Sequence, residues 1–267
     1  MGPAQKVVGG MTKGGFGAFG WLLHRRTLMR WSAAVRTAHK TELARLRAER
    51  QNARSLRLKL DELIYVADSR LGLPRIGSTA FPRPTGTDWS WRPKLWRGSL
   101  AQKGMAAVES KTPLGDEITV FHDCQISELS LRQTRNTREA DLAPYGLRID
   151  VFRFDGSFLS LVVDLPDTAR DGLKKRHLVR LDLNIDLEKP LEVLARLNIK
   201  HGPNTEQIVR EFPVQDTDSF VEFDLAYTNL NEKRVDKMWV DLIFEDPQMN
   251  QITLRDITFS RYPRAEL

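Results

Sequence analysis

The sequence predicts a mainly β protein, an antiparallel β-sandwich preceded by a long basic α-helix. Three observations carry this. From residue 105 onward, apolar and polar residues alternate in roughly ten short runs separated by turn residues, the pattern of half-buried strands. Between Gly20 and Gly72 no Gly or Pro occurs, so nothing obliges a helix there to break. The charge is divided as sharply as the pattern: residues 1–70 hold 14 Lys/Arg against 5 Asp/Glu, whereas the whole chain carries only +6. The basic character therefore belongs to the N-terminal segment.

Residues 1–20 form a Gly-rich tail expected to be flexible. Gly15, Gly17 and Gly20 match the GxGxxG spacing of a dinucleotide-binding turn. That turn needs a preceding strand and a following βαβ unit, and Val7-Val8 is too short to supply the strand. No cofactor is expected.

Residues 21–71 read as the basic helix. Leu46, Ala53, Leu60 and Ala67 recur every seven residues, and Leu28, Trp31, Val35 and Ala38 form an earlier stripe. A long helix must bury such a stripe somewhere. Three outlets are open: self-association through residues 28–71, packing on the β-domain, or contact with an anionic membrane. In the last, Phe16, Phe19, Trp21, Leu22 and Leu23 would enter the interface while Arg25, Arg26 and Arg30 meet headgroups. Nucleic-acid binding has no reading motif to support it. The apolar stretch from Phe16 to Leu23 is too short to span a bilayer and too Gly-interrupted for a signal peptide, so a cytoplasmic address is expected.

Residues 72–104 are a linker rich in Pro and Gly that carries Trp89, Trp91 and Trp96, half of the six tryptophans. Aromatics at this density are expected to lie over the β-domain and seal it, the alternative being a stacking surface for a sugar or base.

Residues 105–263 supply the sandwich. Val179, Leu181, Leu183, Ile185 and Leu187 make the clearest alternation, and Asp155-Gly156 reads as a hairpin turn. The closing stretch, Met238 to Pro263, holds two strands interrupted by Asp246-Pro247. Its apolar phase changes at Arg255-Asp256, which predicts a bulge.

The run from Phe158 to Asp164, the strand from Leu178 to Leu187 and the late WVDLIFEDPQMNQITLRDITF segment together resemble the jelly-roll domains of carbohydrate-binding modules and galactose-binding-like proteins. The whole chain also resembles an uncharacterised alphaproteobacterial family of unknown function. The jelly-roll resemblance implies a role in recognition rather than catalysis.

The polar phases of the strands supply candidate ligands for a glycan: Arg180 and Asn184 opposite one apolar face, Arg196 and Asn198 opposite a second, and Trp239 and Asp241 opposite a third. If these strands are neighbours, one face combines an aromatic surface with planar amide, carboxylate and guanidinium groups, the mixture a sugar ring needs. Trp91 in the linker is a further stacking candidate. The other reading is an ordinary solvated outer face.

Signals for an enzyme are weak, and none is expected. His122 and Cys124 share a strand face, but a structural cysteine is the commoner reading. With Cys124 alone, neither a disulfide within the chain nor a CxxC site can form. The remaining histidines lack metal-ligand spacing. Asp164, Asp167 and Asp171 could form a calcium loop but read better as turn residues, and no metal site is expected. The leading expectation is a glycan-binding module. The alternative is an assembly or membrane-adaptor protein acting through its helix.

Overall fold

A computed structural model of the chain describes residues 18–71, 80–125, 128–213 and 218–264. It divides into two compact units, residues 1–60 and 61–267. The Gly-rich tail up to residue 17 lies outside the described residues, and with it Gly15 and Gly17 of the GxGxxG match.

The N-terminal helix is present but broken. Helix α1 spans Ala18–Thr37, a 3-10 turn follows over Ala38–Lys40, and helix α2 spans Leu43–Leu71. No Gly or Pro causes the break. Thr41 takes an extended conformation (ψ 136°), and the Glu42 carbonyl accepts the first hydrogen bond of α2, from Leu46 N–H at 2.9 Å. The Thr37 hydroxyl donates to Ala33 O and the Thr41 hydroxyl to Thr37 O, the i−4 back-bonding by which threonines bend helices. Among the described residues no helix is long and apolar enough to cross a membrane.

Apart from a short helix over Lys94–Arg97 and a 3-10 turn over Asp167–Ala169, the rest of the described fold is β. In chain order the strands are β1 (Trp89–Trp91), β2 (Gly104–Ala106), β3 (Thr112–Pro113), β4 (Ile118–His122), β5 (Leu129–Arg135), β6 (Tyr145–Val151) and β7 (Leu159–Asp164). Then come β8 (His177–Leu187), β9 (Val193–His201), β10 (Asn204–Glu211), β11 (Asp218–Asp224), β12 (Val235–Phe244) and β13 (Asn250–Pro263). They form two antiparallel sheets. One runs β11-β8-β13-β6-β5-β2, with β1 also on β13; the other runs β10-β9-β12-β7-β4-β3. Inward phases of both sheets meet in one core that includes Leu181, Leu183, Leu197, Val240, Leu242, Leu254 and Phe259, as expected for a sandwich.

Two turns between consecutive strands carry the chain from one sheet to the other, one of them read from the sequence as a hairpin. The Asp155-Gly156 turn joins β6 in one sheet to β7 in the other, so it does not close a hairpin. Gly156 is held there by crowding: a Cβ would lie 2.4 Å from Asp123 Oδ1 and 3.0 Å from Cys124 Sγ. The Glu188-Lys189-Pro190 turn likewise separates β8 from β9. This is the geometry that decides where the candidate site residues go.

The phase change in the closing strand is a bulge. The register of β13 against β8 shifts between Leu254 and Asp256, so that Leu254 and Ile257 both face the core. Asn136 clamps it, donating from Nδ2 to Arg255 O at 2.8 Å. The segment from residue 80 to 104 belongs to the sandwich rather than lying loose beside it. Trp96 is fully buried and donates from Nε1 to Leu254 O at 3.0 Å. Gln133 binds the same turn three times, donating to Leu95 O and Gly98 O and accepting from Leu100 N–H.

Candidate functional site

Because β8 and β9 lie in different sheets, the expected single site is divided. Arg180 and Asn184 stand on the outer face of the seven-stranded sheet, whereas Arg196, Asn198, Trp239 and Asp241 stand on the outer face of the six-stranded one. Trp91 joins neither. It packs against the core residue Phe259, ring centroids 5.7 Å apart, and therefore works as a packing residue.

On the six-stranded face the residues are neighbours, as Trp239 pairs with Asn198 and Asp241 with Arg196. Their polar groups are spent on one another. Asp241 Oδ2 accepts from Arg196 Nε at 2.8 Å and from Asn198 Nδ2 at 3.0 Å, and Asn198 Oδ1 accepts from Gln207 Nε2 at 2.8 Å. Both Asn198 and Asp241 are buried, so this is a satisfied polar ladder rather than a row of open ligands. Trp239 is partly covered by Lys237, whose Nζ lies 5.6 Å from its ring and 2.7 Å from Asp164 Oδ1.

The seven-stranded face holds a cleft. Its volume is about 270 Å³, and its floor comes from adjacent strands: Asp182 and Asn184 on β8, Asp256 and Thr258 on β13. Phe220 on β11 and Arg180 form one wall; Phe81, Pro82 and the Ala140–Leu142 loop form the others. The bulge builds this floor. The extra residue turns Arg255 and Asp256 outward together, and both line the cleft.

The electrostatics of the cleft are set by ion pairs along its floor and walls. Arg180 donates from Nε to Asp182 Oδ1 at 2.9 Å and from Nη2 at 2.6 Å, and its guanidinium stacks 3.6 Å over the Phe220 ring. Burial works against the Arg180 charge, but Asp182 outweighs it and holds the guanidinium above its ordinary pKa. Asp256 receives a bidentate contact from Arg92, Nε to Oδ1 at 2.8 Å and Nη2 to Oδ2 at 2.6 Å. Burial still pushes the Asp256 carboxyl above its usual range, with Arg92 opposing. At the far end Arg255 joins two carboxylates, Asp141 and Asp186. Burial would raise Asp186, yet Arg255 and Arg138 hold it below the ordinary carboxylate range. Tyr262, donating to Glu222 beside Arg180, is pushed up to about 12, by burial first and then by that carboxylate.

The other candidate groups are occupied elsewhere. His122 Nε2 bonds Val108 O at 2.9 Å while Nδ1 accepts the Cys124 N–H at 3.2 Å, so neither nitrogen addresses the thiol. Burial pushes the Cys124 thiol up, away from thiolate chemistry. Asp164 pairs with Lys237 and Asp167 with Arg170, and among the described residues no three His, Cys, Asp or Glu stand together as a metal site.

Sequence reasoning missed Phe220, Asp256, Thr258 and Phe81. One signal was present: Phe220 falls on the outward phase of its strand, next to Glu222 and out of step with the buried Val221 and Phe223.

A family model matches residues 11–267, nearly the whole chain. The chain belongs to DUF6478, a family of unknown function. No curated protein matches the sequence. Among solved structures it is similar to the enzymatically active domain of bacteriophage CBA120 tailspike protein 4, with 9% identity and a TM-score of 0.38. The alignment covers 53% of this chain and 19% of that one, so the chain spans about a fifth of the tailspike protein's length. A family 11 carbohydrate-binding module from Clostridium thermocellum, in complex with a mixed-linked tetrasaccharide, is 10% identical, with a TM-score of 0.34. That alignment covers 62% of this chain and 97% of the module. The CBM22-1 xylan-binding domain from Paenibacillus barcinonensis Xyn10C is also 10% identical, at a TM-score of 0.35, with 62% and 100% covered.

Proposed function

We propose that the sandwich is a non-catalytic binding module that takes a carbohydrate unit in the cleft on the outer face of its seven-stranded sheet. The observation that carries this reading is the composition of the cleft: an aromatic ring, Phe220, beside two guanidiniums, two carboxylates, an amide and a hydroxyl on two adjacent strands. Arg180 covers one face of Phe220, and the residue remains 47% exposed, which leaves apolar surface for the C–H face of a sugar. Asp182 and Asp256 are fixed by Arg180 and Arg92, and a carboxylate has lone pairs beyond those two contacts with which to accept from sugar hydroxyls; the Asn184 amide lines the cleft beside them. A volume of about 270 Å³ lies just below the range of drug-sized sites and matches one small polar unit rather than a long chain.

The division of the site makes the reading easy to test. A glycan array probed with the full chain identifies a ligand, and calorimetry with that ligand ranks the variants. Phe220→Ala is expected to weaken binding about tenfold or more, the loss of one stacking surface. Asp182→Asn is expected to weaken it as well, whereas Trp239→Ala leaves it unchanged. Loss with Trp239→Ala and none with Phe220→Ala would move the site to the six-stranded face. An array without any binder would remove the function.

A further inference from the structure

We propose that α1 and the first part of α2 form a peripheral docking surface for an anionic lipid membrane. This rests on the N-terminal unit alone and is independent of the cleft. Residues 21–30 are all exposed. Five of these ten are large and apolar (Trp21, Leu22, Leu23, Leu28 and Met29), and three are arginines, Arg25, Arg26 and Arg30. Trp21, Leu28 and Val35 follow one another at seven-residue intervals, a single line along α1, and they are 55%, 55% and 72% exposed. Arginines border the tryptophans directly: Arg25 lies 5.5 Å over the Trp21 ring and Arg30 5.6 Å over the Trp31 ring. Aromatic bodies with guanidinium groups beside them suit the boundary between headgroups and acyl chains.

Charge decides among the possible occupants. Residues 18–60 hold 11 Lys/Arg, all exposed, against only Glu42 and Glu49. A second copy of the same helices would set eleven cations against eleven with four carboxylates to separate them, and like charges across a helical seam oppose pairing. The partner must therefore be polyanionic. A nucleic acid meets the charge but has no use for five exposed bodies the size of Trp, Leu and Met. An anionic bilayer takes both, the apolar side chains in its interface and the arginines among its phosphates. Among the described residues no helix is long and apolar enough to cross a membrane, so the contact proposed is with the surface.

The test is co-sedimentation of the full chain with vesicles of phosphatidylcholine alone and of phosphatidylcholine mixed with phosphatidylglycerol, at low and high salt. Binding is expected only to the mixed vesicles and is expected to fall with salt. At about fivefold per basic residue, Arg25→Gln/Arg26→Gln/Arg30→Gln should lower the partition roughly a hundredfold. Trp21→Ser/Leu22→Ser/Leu23→Ser should abolish it while circular dichroism of the β-domain stays unchanged. Failure to bind the mixed vesicles overturns the proposal. So does binding to duplex DNA that survives the Trp21/Leu22/Leu23 replacement, which would assign the surface to nucleic acid. A stable dimer lost on that replacement, without vesicle binding, would assign it to a second copy.

Discussion

At the scale of single residues, the pair Arg92–Asp256 shows how closely stability and the cleft are tied. Arg92 has no exposed side-chain surface and Asp256 is 17% exposed, so the pair is nearly dry, and each charge depends on the other. Removing one partner leaves the other uncompensated, which costs about 3–5 kcal/mol, whereas removing both charges costs far less. Arg92→Met is therefore expected to lower stability by about 3–5 kcal/mol in urea titrations. The double variant Arg92→Met/Asp256→Asn should recover a large part of the loss. Equal loss in both would mean that Arg92 acts through packing rather than charge. None of this was visible in sequence. Arg92 lies between Trp91 and Pro93 in a stretch that reads as linker, and its partner is 164 positions away.

At the scale of elements, most strands were legible and their partners were not. Alternation marks Leu147, Ile149 and Val151, or Leu181, Leu183 and Ile185, because burying one face of a strand writes a period of two into the chain. The bulge was legible for the same reason, since an extra residue shifts that period. Strands of two or three residues, such as Thr112–Pro113 and Trp89–Trp91, leave too few positions for a period to show. Adjacency between strands leaves no local trace at all. That is why Arg180 and Arg196, on strands consecutive in sequence, were expected together and stand on opposite sheets. Gly146 supports the bulge from the next strand. A Cβ there would lie 2.9 Å from both Asn136 Oδ1 and Leu254 O, a held side chain and a backbone atom. Gly146→Ala is expected to cost about 1–3 kcal/mol by overcrowding, measurable by thermal denaturation. Because the bulge turns Arg255 and Asp256 outward, the same change should weaken any ligand that depends on the cleft. A neutral Gly146→Ala would show that the bulge yields easily.

At the scale of the whole molecule, the larger unit centres on β13. It runs antiparallel to β8 along nearly its entire length, and its other edge is shared between β6 and β1. A chain stopped at residue 249 would lack the middle of one sheet and half the floor of the cleft. Circular dichroism and limited proteolysis are expected to show it unfolded, while a folded, protease-resistant product would contradict that central role.

The position of β13 also bears on how the protein comes into being. As the polypeptide leaves the ribosome, twelve of its thirteen described strands emerge before the one that three others must pair with. The seven-stranded sheet therefore cannot close before β13 has emerged. Until then, β8 and β6 wait with open edges and apolar faces exposed, the condition in which nascent chains aggregate or recruit chaperones.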